Sequence, residues 1–278
     1  MESKRIRKLK SKLISSLPTF PNNRDTKSIL EAKHLTDLLT IYLGWKLRHI
    51  TPRHRTVIVQ DTLYDPHNSL NSAEFSILKE KIENGEDLIQ YLSLKAQKQG
   101  YTPASSQLSS DKWSDKDFLL NVMGFHHLHF KPLPERTDNV VFARVTRNNF
   151  EVVGVFNHDV FDVPEQMGEP LNSERQKLWE IFDSFSMQGT APNSIFVPSP
   201  ISLSAHTFQV VTLAIEYVRV IKELDPKLDD GEYIKLLYSK TDATLPSKPK
   251  LEWVIRGTDI GICDKESNVY MTLRYGIN

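Results

Sequence analysis

The stretch GFHHLHFKPLPERTDNVVFARVTRNNFEVVGVFNHDVF, residues 124–161, holds three strand-like runs in close succession: FHHLHF, NVVFARV and FEVVGVF. Each is rich in β-branched and aromatic residues. The last two flank TRNN (146–149), a polar hairpin signal. Gly124 closes the helical pattern that precedes them. This block predicts a small, mostly antiparallel sheet. It also holds His126, His127, His129 and His158 out of nine histidines in the chain.

Side chains alternate across a strand, so His127 and His129 are expected on one face, with His126, Leu128 and Phe130 on the other. Two imidazoles two positions apart lie within about 7 Å, given a rise of roughly 3.3 Å per residue. The connecting loop adds Lys131 and Arg136, and the next strand adds Arg144. Asn157, His158 and Asp159 follow at the end of the third strand. Imidazole titrates near neutral pH, which suits a base that takes a proton and an acid that returns one. A guanidinium beside them suits charge building on a phosphorane. Three other readings stand beside this one. A zinc or manganese ion could be held by His127, His129, His158 and Asp159. A nucleotide-binding histidine triad would need a third alternating histidine where Lys131 stands. The imidazoles could also be structural, bonded to backbone within the fold.

With 278 residues, 39% apolar and 25% charged, the chain suits an ordinary globular protein with room for a sizeable core. No apolar run of membrane-spanning length occurs. The basic N-terminus lacks an apolar h-region, so no signal peptide is expected. The single cysteine, Cys263, excludes an intrachain disulfide and a cysteine-based zinc knuckle, and fits a cytoplasmic setting. Net charge is zero, yet residues 1–55 carry 13 Lys and Arg against 4 Asp and Glu, leaving the rest of the chain at −9. Such asymmetry suggests an anionic partner, nucleic acid first, or docking of the basic segment on acidic residues of the same chain. Arg48, Arg53 and Arg55 in RHITPRHR (48–55) form a candidate phosphate-contacting loop.

Periodicity predicts an amphipathic arm along SKRIRKLKSKLISSL and a helix over 26–45 with Ile29, Leu35, Leu38, Leu39 and Leu43 as its stripe. A strand is expected at 56–60. A helix follows Ser72 and ends at Gly85, and another covers EDLIQYLSLKAQ (86–97). The polar loop PASSQLSSD (103–111) reads as a hinge between a helical region, 1–105, and an α+β domain, 106–278. Ser114 is expected to cap the helix ending at Gly124. Beyond the histidine strands come a helix at 173–185, a strand at SIFVPSP (194–200), and a long helix capped by Ser204 or Thr207. A further helix at DDGEYIKLLYSK and terminal strands turning at DKES complete the chain. The fold class is α+β, a helical N-terminal half followed by a small sheet with packed helices. No Walker loop, Rossmann glycine fingerprint or G-x-S-x-G elbow occurs.

KIENGEDLIQYLS, FLLNVMGFHHLHF and RTDNVVFARVTRNNFEVVGVFNHDVF together resemble a bacterial protein family with the pattern LLNxxGxHHLHF … R … H. Phe125 and Phe130 stand where that family favours Ile and Leu. The resemblance implies an order of motifs rather than a reaction. The sequence of helix, histidine strand, basic loop and two further strands is also similar, as analogy of fold and residue type, to the small toxin ribonucleases of the RelE, barnase and EndoU-like group. The resulting expectation is a metal-independent ribonuclease without a cofactor, acting as a toxin or phage-defence effector, with an antitoxin or neighbouring-gene protein as partner. His127 and His129 would be the acid–base pair, Arg136 the phosphate anchor and His158 a third group. Lys131, Arg144, Arg48, Arg53 and Arg55 would bind nucleic acid, with His126, Asn157 and Asp159 in support. The rival expectations are a nucleic-acid-binding or interaction module with structural histidines, and a histidine-ligated metal nuclease.

Overall fold

The computed structural model describes residues 2–60, 63–103, 115–163, 166, 168–188 and 200–277. Its helices are α1 (Lys4–Ser16), α2 (Arg24–Glu31), α3 (Leu35–Leu47), α4 (Ala73–Asn84), α5 (Leu94–Lys98), α6 (Phe118–Met123), α7 (Ser173–Met187), α8 (Phe208–Leu224) and α9 (Gly231–Tyr238). The strands are β1 (Thr56–Ile58), β2 (Phe125–His129), β3 (Val140–Val145), β4 (Asn149–Phe156), β5 (Leu251–Arg256), β6 (Asp259–Asp264) and β7 (Val269–Arg274). The class is α+β, as expected. Two compact units divide the chain, one of residues 1–47, 95–116 and 202–278, the other of 48–94 and 117–201. The chain thus leaves the first unit and returns to it twice. The expected boundary after 105, the hinge loop and Ser114 fall outside the described residues, as does most of the strand expected at 194–200.

In the first unit, α3 is buried nearly all round, from Leu35 to Leu47. A helix apolar on every side belongs in a core. By contrast α2 buries only Thr26 and Leu30, and Ile29 is exposed. The single helix expected over 26–45 is therefore two, parted at Ala32–His34, because one straight axis could not serve a surface stripe and a core rod together. Helix α8 packs on α3 and opens with Thr207, whose hydroxyl accepts the Val210 N–H. The tail is an antiparallel meander in the order β5-β6-β7.

The basic arm is docked rather than loose. Arg5 on α1 bonds Asp225 and Asp229, and Lys8 and Lys12 reach Glu252 on β5. Part of the N-terminal positive charge is thus met by carboxylates of the same unit. Burial alone would raise the Glu252 pKa, but hydrogen bonds from Lys12, Lys8 and Lys265 outweigh it and hold the carboxyl at about 2. A carboxyl held below its usual 4.5 stabilises the fold above that pH, and the contribution is lost as pH falls from about 4.5 through 2. Glu252→Gln is expected to cost about 1–2 kcal/mol at pH 7. Urea melts should show this gap closing between pH 4.5 and 2, and a gap independent of pH would refute the assignment.

The second unit is a four-stranded sheet in the order β1-β4-β3-β2, antiparallel except for β1 alongside β4. A bulge sits at Phe142/Ala143. Helix α7 places Leu178 and Phe182 in a core cluster with Phe125, Val140, Phe142, Val153, Phe156 and Val160. On α4, the Ser72 hydroxyl caps the Phe75 N–H, and Gly85 ends the helix at φ +72°. A Cβ there would also stand 2.6 Å from the His54 backbone nitrogen. The helix expected over 86–97 is instead a 3-10 turn, Ile89–Tyr91, followed by the short α5. The carbonyls of Gln90 and Leu92 are turned to tertiary donors, the Leu133 N–H and the Arg136 guanidinium. They do not form helix bonds.

Candidate functional site: a stacked histidine pair

Residue alternation along β2 puts Phe125, His127 and His129 on one face, since His127 pairs with Phe142 and His129 with Val140 of the core cluster. The other face holds His126 and Leu128. Both faces are buried, with His126 4% and His129 5% exposed. The expected sharing of faces holds for these residues, and the face of His127 and His129 is the one that carries the aromatic core.

His127 is wedged between the rings of Phe142 and Phe161, at 5.6 and 4.8 Å between centroids. Its Nδ1 is buried without a hydrogen-bond partner, 3.8 Å from the Asp117 carboxylate. Burial pushes its pKa down. Asp117 opposes that shift, and Arg48, His158 and Arg136 add to it.

His129 and His158 stack at 5.3 Å and 28°. Their Nδ1 atoms face two consecutive carbonyls, Thr137 O at 2.8 Å and Asp138 O. A carbonyl only accepts, so each Nδ1 carries a proton, and these bonds leave each Nε2 for other work. His158 is exposed at the surface while His129 lies beneath it. Burial lowers the His129 pKa to about 4; its bond to Thr137 resists the shift, and Arg136, His158 and His127 reinforce it.

The turn carrying His158 is built by its neighbours. The Asn157 side chain accepts the Asp159 N–H, and the Asp159 carbonyl accepts from Asn172. Glu174, in the first turn of α7, takes the Asn157 N–H on one oxygen and the Tyr64 hydroxyl on the other. Arg136 donates to Leu92 O at 2.6 Å, and its Nε is buried without a partner. Its charge, with that of Arg48, acts on the histidines.

The remaining cations have other neighbours. Arg55 is 1% exposed and clamps the carbonyls of Thr146, Thr51 and Arg53. Burial, with Arg53 and Arg147 nearby, lowers its pKa to about 10. It fits neither a phosphate-contacting nor a solvated role. Arg53 is partly buried beside it. Lys131 pairs with Glu74 at 3.5 Å, and Arg144 pairs with Glu151 at 2.7 Å while lying over the Phe185 ring. Among the described residues no group of three or more His, Cys, Asp or Glu side chains converges with metal-holding geometry.

Sequence reasoning missed Asp117, Thr137 and Glu174. Asp117 caps α6 through the Leu120 N–H, a signal legible in DKDFLL. Nothing in the sequence marks Thr137 or Glu174, whose roles depend on loop closure and on the docking of α7. Comparison with family models, curated proteins and solved structures gives no match to this chain. Among the described residues no helix is long and apolar enough to cross a membrane.

Proposed function

We propose that this protein is a metal-independent ribonuclease. The observation that carries the reading is the His129–His158 stack, with both Nδ1 atoms anchored on carbonyls and both Nε2 atoms uncommitted. Neutral His129 takes the proton of a 2′-hydroxyl, whose oxygen attacks the adjacent phosphorus. Protonated His158 gives its Nε2 proton to the departing 5′-oxygen. Arg136 stabilises the charge that builds on the phosphorane. The products are a 2′,3′-cyclic phosphate and a free 5′-hydroxyl, and the balance requires neither metal nor cofactor. Of the histidines first paired from sequence, His129 keeps its role and His158 replaces His127. A toxin or phage-defence effector with a cognate antitoxin, acting on RNA in the cytoplasm, is the setting this activity suits.

The test uses end-labelled RNA with EDTA present. Cleavage is expected to leave cyclic phosphate ends, and a strand with deoxyribose at the cut nucleotide should stay intact. Cleavage of that deoxy strand, or loss of cutting when EDTA is added, would defeat the proposal.

A further inference from the structure

Beside the stacked pair, within the same unit, lies a cavity of about 230 Å³ lined by His67, Asn68, Ser69, Ser72, Glu74, Phe130, Thr137 and Asn139. Thr137 joins the two places. Its carbonyl anchors His129, while its hydroxyl accepts the Phe130 N–H and donates to Asn139 O. The volume is below the roughly 300–1,000 Å³ of sites for whole drug-sized ligands, so the cavity suits one ring of a larger ligand. Phe130 supplies an apolar wall, itself packed edge-on against Phe75.

The polar lining is partly committed. The Asn139 amide NH₂ is spent on Ser69 Oγ, which leaves its carbonyl oxygen. The Asn68 oxygen accepts from Asn71, which leaves its own NH₂. Ser72 is occupied in capping α4. The charged group in the lining is the Glu74 carboxylate, an acceptor only, which already faces Lys131 through Oε1 at 3.5 Å. Among the described residues no Lys or Arg lines the cavity, and the Lys131 ammonium that faces Glu74 is matched by that carboxylate, so the cavity offers no unmatched positive charge to a phosphate. It suits a neutral ring that offers an amino group to Glu74 and a ring acceptor to Asn68. Cytosine carries both along one edge. Uracil, nearly identical in shape, presents an oxygen where cytosine has its amino group.

We propose that this cavity is a base-recognition subsite that takes cytosine of the RNA, Glu74 accepting from the exocyclic amino group; the inference rests on the ribonuclease reading of the neighbouring pair. Equilibrium dialysis of the full chain with cytidine and uridine monophosphates tests it without requiring turnover. Cytidine monophosphate should bind at least about fivefold tighter, the discrimination one good polar pairing gives. Glu74→Gln, a substitution at a half-buried position in the first turn of α4, should erase the preference because an amide can pair with either base, and a thermal melt should confirm that the variant is folded. Equal binding of the two nucleotides, or a preference that survives in folded Glu74→Gln, would overturn the subsite. Mapping cut sites on a mixed-sequence RNA separates the two ideas. Cleavage with no preference for cytosine refutes the subsite and leaves the ribonuclease standing. A cytidine preference in dialysis without any cleavage supports the subsite and refutes the nuclease.

Discussion

His129→Ala is expected to slow RNA cleavage by two to four orders of magnitude, the usual worth of a positioned acid or base. His158→Ala should do the same, and the double variant should lose little more, since groups that act in one step are not additive. His127→Ala should behave differently. It removes a ring packed between Phe142 and Phe161, so melting temperature should fall further than the rate per folded molecule. The pH profile supplies an independent check. His129 must be neutral to take a proton, and burial, with Arg136 and the other histidines near it, holds its pKa at about 4. The acid limb of kcat/KM should therefore lie near pH 4 rather than near the 6.5 of an unperturbed imidazole. The same shift has a sign for stability. Between pH 6.5 and about 4 the unfolded chain protonates this histidine and the folded chain does not, so stability falls as pH drops through that window. Alanine at 129 removes that slope. A limb near 6.5, or a His129→Ala enzyme at full rate, would remove His129 from the chemistry.

Gly44→Ala is expected to lower stability, although helix propensity predicts the opposite. In an ordinary helix interior the change gains about 1 kcal/mol. Here a Cβ at position 44 would stand 2.3 Å from Nδ1 of His206 and 2.6 Å from its Cε1. His206 cannot easily yield. It is 5% exposed, its Nε2 accepts from Lys116 at 3.3 Å, and Lys116 in turn pairs with Asp115 at 2.7 Å. Its carbonyl takes both the backbone N–H and the hydroxyl of Ser202, and Ala205 before it already sits at φ +58°. Overpacking of this kind costs about 1–3 kcal/mol, which for a chain of this size lowers the melting temperature by roughly 2–5 °C. Gly231→Ala, where a Cβ meets nothing within 4 Å, should be neutral or mildly stabilising. His206→Ala in the Gly44→Ala background should recover part of the loss, a coupling that distant sites would not show. Additive losses in the double variant would mean that the ring is not the obstacle.

Several local features were legible in the residues themselves, because they depend on chemistry within a few positions. Ser72 and Gly85 bound a helix through a hydroxyl that caps one end and a left-handed φ that closes the other. The alternation in FHHLHF, the TRNN turn and the run FEVVGVF gave three neighbouring strands whose register the backbone realises. The placement of His129 and His158 within one sheet unit followed from that short-range order, since the three strands adjoin in sequence and in the sheet. Other outcomes belonged to tertiary structure alone. Periodicity is blind to where a stripe will be buried, so the break between α2 and α3 depended on which residues found a core. A basic residue reads alike whether it faces solvent or its own fold, so only packing turned Arg55 into a backbone clamp and docked Arg5, Lys8 and Lys12 on acidic partners. Likewise the pairing of His129 with His158 rather than His127 was decided by aromatic packing. Phe142 and Phe161 close around one imidazole, while two consecutive carbonyls hold the other two rings face to face.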